Sequence, residues 1–218
     1  MLYIIQDLER YVTAPDNLPP QRMVTAELAR RLGVGAQILP MSNQKIRTVI
    51  ISGEERLPFQ TYFVRRGCQP PVDDIHFSGI KQALPAPGVL QAILEANIVL
   101  LGPSNPFVSI GTILAVPGIR EALKSTAGKV VAVSPIVNGK ALKGPAARML
   151  RGRGMEVSPA SVCRLYEDFM DLFIADIQDE ACRDSLEATG VPFSFCDTVM
   201  TAETDRVRMA AEVLKLCL

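Results

Sequence analysis

The chain reads as an α/β protein: a doubly wound, mostly parallel, Rossmann-like sheet with a small antiparallel β region in its N-terminal third. Two patterns and one bulk property predict this. Beyond residue 85, apolar runs at 98–101, 130–133, 172–175 and 191–195 alternate with helical periodicity, the mark of crossover units whose parallel strands are covered on both faces. Before it, the β-prone runs 36–39, 48–51 and 59–64 lie between turn signals such as Ser52-Gly53, as antiparallel strands do. With 218 residues, 48% of them hydrophobic, the chain is long and apolar enough for a real core. Residues 1–85 are therefore an N-terminal helix and antiparallel β region and residues 86–218 a parallel α/β core, together one compact domain.

The elements follow in order. A first helix ends at Gly33. The run Phe59–Val64 reads as a strand ending in Arg65-Arg66, whose side chains on a strand would point to opposite faces, so that one of them at most faces a given ligand. The planar guanidinium suits phosphate or carboxylate oxygens, and an ordinary surface pair fits the dipeptide equally well. Asp73-Asp74, in a proline-rich loop, reads as solvated acids rather than a metal site, and His76 has no carboxylate or nucleophile at triad spacing. Gly152-Arg153-Gly154 follows no apolar strand and reads as a turn. Ser158-Pro159 opens a helix, and Gly190 closes another over 178–189. The last helix starts near Thr201, with Val207, Ala210, Ala211, Val213 and Leu214 expected in the core and Arg206, Arg208 and Lys215 outside.

Charge and composition exclude several classes of function. Lys plus Arg and Asp plus Glu both number 23, so no net field favours a nucleic acid or an anionic membrane. Cysteines 68, 163, 182, 196 and 217 form no C-x-x-C pair and only one histidine could join them, which argues against zinc or a disulfide scaffold. The apolar start Met1–Ile5 is too short for a signal peptide and no run approaches a transmembrane span, so the expected location is cytoplasmic.

The chemistry is expected in two loops beyond strand ends. Asn97–Leu101 empties into Gly102-Pro103-Ser104-Asn105-Pro106, where prolines fix φ and short polar side chains meet unpaired backbone amides. In open parallel sheets the ligand crevice lies beyond the carboxyl ends of strands, so this loop reads as an anion-holding element or as a tight connection. Beyond Val130–Val133 lie Ser134–Lys140 and Lys143-Gly144-Pro145-Ala146. If the two strands are neighbours, Ser104, Asn105 and Ser134 approach one another at one rim. Lys143 reads as a charge for phosphate or as a solvated lysine, and Pro145 as the start of a helix whose amides could hold an anion.

On these residues the chain resembles the 2-phospho-L-lactate transferase (CofD-like) family of deazaflavin coenzyme F420 biosynthesis. The resemblance rests on Phe59–Arg66, Ala86-Pro87-Gly88-Val89-Leu90, Gly102–Pro106 with Ser109-Ile110, Pro117-Gly118-Ile119, Val133–Val137, Lys143–Ala146, and Asp197-Thr198 with Met200, and runs from about Val24 to the C-terminus. It implies an α/β nucleotide-binding fold, a homodimer and a divalent metal, Mg2+. It also implies a reaction in which a guanosine diphosphate derivative of lactate, or of a related three-carbon acid, is joined to a hydroxyl of a deazaflavin acceptor with release of GMP. Gly102, Ser104, Asn105, Ser109, Ser134 and Gly144 would line the nucleotide or donor pocket, and Arg65 or Arg66 and Lys143 would face phosphate oxygens.

Members of that family begin with a strand and a Gly-Gly-x-Gly-Gly loop, followed by acidic residues suited to the metal, and neither occurs in this sequence. Two consequences are expected: apolar surface left open on the sheet, with self-association, and a choice between a transferase and a non-catalytic binding remnant that keeps the nucleotide crevice. Should the chain hold the metal itself, Asp73, Asp74, Asp176 and Asp179 are the carboxylates to consider.

Overall fold

A computed structural model describes residues 2–5, as backbone, and 20–217. β1 (Leu2–Ile5) pairs in parallel with β2 (Gln37–Pro40), and between them α1 (Gln21–Arg31) closes at Leu32 and at Gly33, whose φ is +67°. The antiparallel sheet has β3 (Arg47–Ser52) at its centre, flanked by β4 (Glu55–Pro58) and β5 (Asp74–Ser78). Gly53 turns β3 into β4, and its N–H donates to Asp73 Oδ2 at 2.6 Å.

The expected strand Phe59–Val64 is instead helical, with a π-helical turn over Thr61–Arg65. The aromatic spacing explains the difference. Phe59, Tyr62 and Phe63 recur at helical intervals, and winding brings them together, with Phe59 and Phe63 stacked 5.6 Å apart and Tyr62 wholly buried. Packing has overridden β-propensity, which favours the same residue types. The opposite-face argument for Arg65 and Arg66 falls with the strand. Both are exposed, and Arg66 pairs with Glu55 at 3.1 Å.

After α2 (Val89–Leu94), the parallel sheet assembles from β6 (Ile98–Leu101) and β7 (Lys129–Val133), joined through α3 (Ile110–Leu114) and α4 (Ile119–Ser125). β7 leads into a hairpin of β8 (Ile136–Val137) and β9 (Lys140–Ala141), then α5 (Ala146–Gly152) and α6 (Pro159–Arg164), capped by the Ser158 hydroxyl. β10 (Leu172–Asp176) follows, then a 3-10 segment Ile177–Cys182, α7 (Arg183–Glu187), β11 (Phe193–Cys196) and α8 (Glu203–Cys217). The continuous helix expected over 178–189 is thus divided, because Asp179 leaves helical geometry. The sheet order is β11-β10-β7-β6, all parallel, and the doubly wound expectation holds.

Strand alternation builds the layers. Val130 and Ala132 of β7 and Phe173 and Ala175 of β10 enter the main core, shared with the antiparallel region through Ile50, Leu57 and Tyr62. Their neighbours Val131, Val133, Leu172 and Ile174 face the other way, against Met209, Val213 and Cys217 of α8. This corrects the expected core stripe of α8. Val213 is buried, whereas Val207 is 68% and Leu214 49% exposed, and Ala210 and Ala211 are also exposed. The helix carries two apolar stripes, 209/213/217 and 207/210/211/214, and as an outer layer on one sheet face it can bury only one. Periodicity shows both stripes and cannot choose between them. On the same face, Leu100 of β6 is left 48% exposed.

Candidate functional site

The loops beyond the carboxyl ends of β6, β7 and β10 differ in what they offer. Gly102 and Ser104 are exposed, and the Ser104 N–H donates to Gly102 O at 2.7 Å. Asn105 is half-buried and turned onto its own loop: its Oδ1 accepts from the N–H groups of Phe107, at 2.9 Å, and Val108, at 3.1 Å. Ser109, half-buried, precedes α3 and donates its N–H to Asn105 O. β6 and β7 are neighbours, yet Ser134 is not open to a ligand beside Ser104. It is 1% exposed, its N–H donates to Ile174 O, and its hydroxyl donates to Ile136 O and accepts from Ile136 N. Ser134 braces the hairpin against β10.

An open concavity lies on the far side of α5. A cleft of about 460 Å³ is lined by Gly67, Cys68, Lys140, Ala141, Gly144, Pro145, Ala147, Arg148 and Arg151, a size that suits a small ligand. Among the described residues no acidic side chain lines it. Lys140, Arg148 and Arg151 make no ion pair among the described residues, and the Arg148 guanidinium donates to Gln69 O at 3.3 Å. Three uncompensated cations in a concavity favour a polyanion. The opposite wall turns at Gly67 (φ +52°) and Cys68 (φ +57°). A non-glycine residue in that region is strained, and the strain is held by buried Tyr62, whose carbonyl accepts from Cys68 N at 2.9 Å and whose hydroxyl donates to Cys68 O at 3.4 Å. Burial pushes the Cys68 thiol up, which keeps it protonated.

Of the residues singled out in the sequence, Gly144 lines the cleft, Lys143 precedes it in the same segment, and Arg65 and Arg66 run directly into Gly67. Gly102, Ser104, Asn105 and Ser109 lie on the loop behind α5, whose Met149 meets Asn105. Lys140, Arg148, Arg151, Gly67 and Cys68 escaped the sequence reading. A signal for the cations exists: residues 140–153 hold Lys140, Lys143, Arg148, Arg151 and Arg153 and no acid, and positions 148 and 151 share a helix face.

The four candidate carboxylates each make contacts away from the cleft. Asp73 receives the Gly53 N–H, and Asp74 pairs with Arg153, whose guanidinium also lies over the Phe107 ring. Asp176 Oδ1 accepts from Gln178 N, and its Oδ2 accepts from both N–H and hydroxyl of Thr198. Asp179 Oδ1 accepts from Asn138 N at 2.8 Å. Among the described residues no three of His, Cys, Asp and Glu come together as a metal site. Asp73, Asp74, Asp176 and Asp179 are therefore not gathered into one such group. No helix among the described residues is long and apolar enough to cross a membrane.

Comparison with known proteins bears on this geometry. A family model described as 2-phospho-L-lactate transferase CofD matches residues 16–214. The chain is 39% identical over 188 residues to the 2-phospho-L-lactate transferase of Methanosarcina barkeri, covering 86% of this chain and 60% of that protein. It is 40% identical over 197 residues to the phosphoenolpyruvate transferase of Kitasatospora aureofaciens, covering 86% and 61%. The chain thus spans about three fifths of the length of these curated relatives. Among solved structures, protein BH3568 of Bacillus halodurans superposes with a TM-score of 0.61 at 19% identity over 86% of this chain and 65% of that one, which shows a shared fold.

Proposed function

The chain belongs to the 2-phospho-L-lactate transferase CofD family, and from that premise we propose that it carries the donor-binding part of a transferase acting on a guanosine diphosphate-linked three-carbon acid. In this reaction a hydroxyl oxygen of a deazaflavin acceptor bonds to the phosphorus that bears the three-carbon acid. The bond from that phosphorus to the bridging oxygen breaks, GMP leaves with the electron pair, and the hydroxyl proton passes to a base. Such a transfer depends on alignment and on neutralising charge.

One observation carries the assignment: the cleft faced by Lys140, Arg148 and Arg151 with no acid in its lining among the described residues. Those cations would take the diphosphate, Gly144 would let an oxygen approach the backbone, and Lys143, Arg65 and Arg66 would extend the positive rim. The loop with Gly102, Ser104 and Ser109 would meet the nucleoside or the acceptor, with Asn105 holding the loop's shape. Magnesium ordinarily keeps several waters and binds through one or two carboxylates and substrate phosphates, so its place in this proposal is on the donor. A cytoplasmic homodimer is part of the same proposal.

The test is turnover by the folded chain with the guanylylated donor, the deazaflavin and magnesium, read by product mass. Product is expected, and R148A/R151A is expected to raise the donor KM at least tenfold. That no three potential ligands come together as a metal site among the described residues favours a second reading, a domain that binds the donor without transferring it. Donor binding without product would establish that reading, and neither binding nor product would reject both.

A further inference from the structure

Asp179 is 3% exposed, and its Oδ2 has no hydrogen-bond partner among the described residues. The hydrogen bond that fixes the side chain is made through its other oxygen. Oδ1 accepts from Asn138 N at 2.8 Å, and the Gly139 N–H also faces the carboxylate. Burial pushes the Asp179 carboxyl up, the Asn138 N–H pulls it down, Asp176 adds repulsion, and the Gly139 N–H again favours the ionised form.

Asn138 (φ +49°) and Gly139 (φ +67°) form the two-residue turn between β8 and β9, both in the left-handed region that such a turn requires. The next residues, Lys140 and Ala141, line the cleft, and Gly144 follows. The hairpin is therefore held by β10 and its extension at two points: Ser134 N–H on Ile174 O at its base, and Asp179 at its tip. A two-strand hairpin of two residues each has little stability of its own. Its tip lies where Asp179 puts it.

We propose that Asp179 is the positioning residue of the anion cleft: it holds the Asn138-Gly139 turn and thereby sets Lys140 against the phosphates of the ligand. The proposal rests on the reading of the cleft as a polyphosphate site and adds to it the side chain that shapes one wall without touching the ligand.

Titration calorimetry of the full chain with inorganic pyrophosphate, on wild type, D179A, D179N, K140A and D179A/K140A, tests it. D179A and K140A are each expected to weaken binding about tenfold, the scale of one charge-assisted contact. If Asp179 acts through Lys140, the double variant binds no more than about twofold weaker than K140A, as expected for coupled residues. D179N, whose amide oxygen still accepts from the turn, stays within about threefold of wild type. The proposal is overturned if the two losses multiply, if D179A with a native circular dichroism spectrum binds as wild type, or if D179N falls as far as D179A. Should D179A fail to fold, Gly139→Ala strains the same turn from its other side, and its loss must likewise vanish in the K140A background. Failure of wild type to bind pyrophosphate would reject the cleft itself and the proposal with it, an outcome distinct from binding without coupling.

Discussion

Asn105 and Met149 join the loop after β6 to α5, the carboxamide nitrogen lying 3.4 Å from the thioether sulfur. The same side chain takes two loop N–H groups on its oxygen, so the residue that most suggested a ligand contact is occupied in building the loop. N105A should therefore destabilise the fold by about 1–2 kcal/mol, the cost of removing a cap that satisfies orphan amides. N105D keeps the acceptor and should lose less than about 0.5 kcal/mol. Urea unfolding decides, and an N105A midpoint equal to wild type would show that the loop does not need its side chain.

The parallel strands were legible because each is apolar on both faces, and 98–101 coincides with β6 to the residue. The segment 59–64 was not, because Phe, Tyr and Val serve a strand and a tightly wound helix equally, and only the packing of Phe59 on Phe63 selects between them. The site was legible by half for a related reason. Glycines and prolines mark loops, which led to 102–106 and 143–145, but whether a polar side chain faces a ligand or its own backbone depends on hydrogen bonds that no spacing reports, as Ser134 shows. Arg148 and Arg151 belong to a helix with no loop signal, and their place on the cleft emerges only from which side of α5 Met149 buries.

The cations of the cleft should not be equivalent. Arg151 lines it without an ion-pair partner among the described residues, whereas Arg66 is held by Glu55 at 3.1 Å on an exposed turn. R151A should weaken pyrophosphate about tenfold and R66A less than about twofold. Both wild-type and R66A affinities should fall with added salt, with a shallower salt dependence for R151A because one charge no longer takes part. Equal losses for R66A and R151A would move the anion toward the π-helical turn.

Asp168 provides a pH handle remote from the cleft. Arg120 and Lys124 both hold its carboxylate, which lowers its pKa from 3.8 to about 2. Because the folded value is the lower one, the contribution is full above about pH 4 and is lost as pH falls toward 2. The pair is a third exposed, so solvent screening limits it to under about 1 kcal/mol. The stability gap between wild type and D168N should be constant from pH 7 to about 4 and close below that. A gap that widens toward acid would mean that the carboxylate destabilises the fold.

Leu100 should govern association of the chain in solution. Among the described residues β6 pairs only with β7, leaving a row of backbone groups open along one edge, and such an edge is a template for another chain. Four strands span about 19 Å and one helix covers about 10–12 Å, so α8 cannot roof the whole face. Leu100, beside Val131 on that face, is what remains 48% exposed. A concentration-dependent dimer or larger species is expected in sedimentation velocity, and L100K should shift it to monomer by placing a charge where the apolar edge would close. V207K, on the outward stripe of α8, removes as large an exposed hydrophobe without touching the edge and should leave the distribution unchanged. If V207K dissociates the species and L100K does not, the contact belongs to α8, and a monodisperse wild-type monomer would show that neither surface is sufficient.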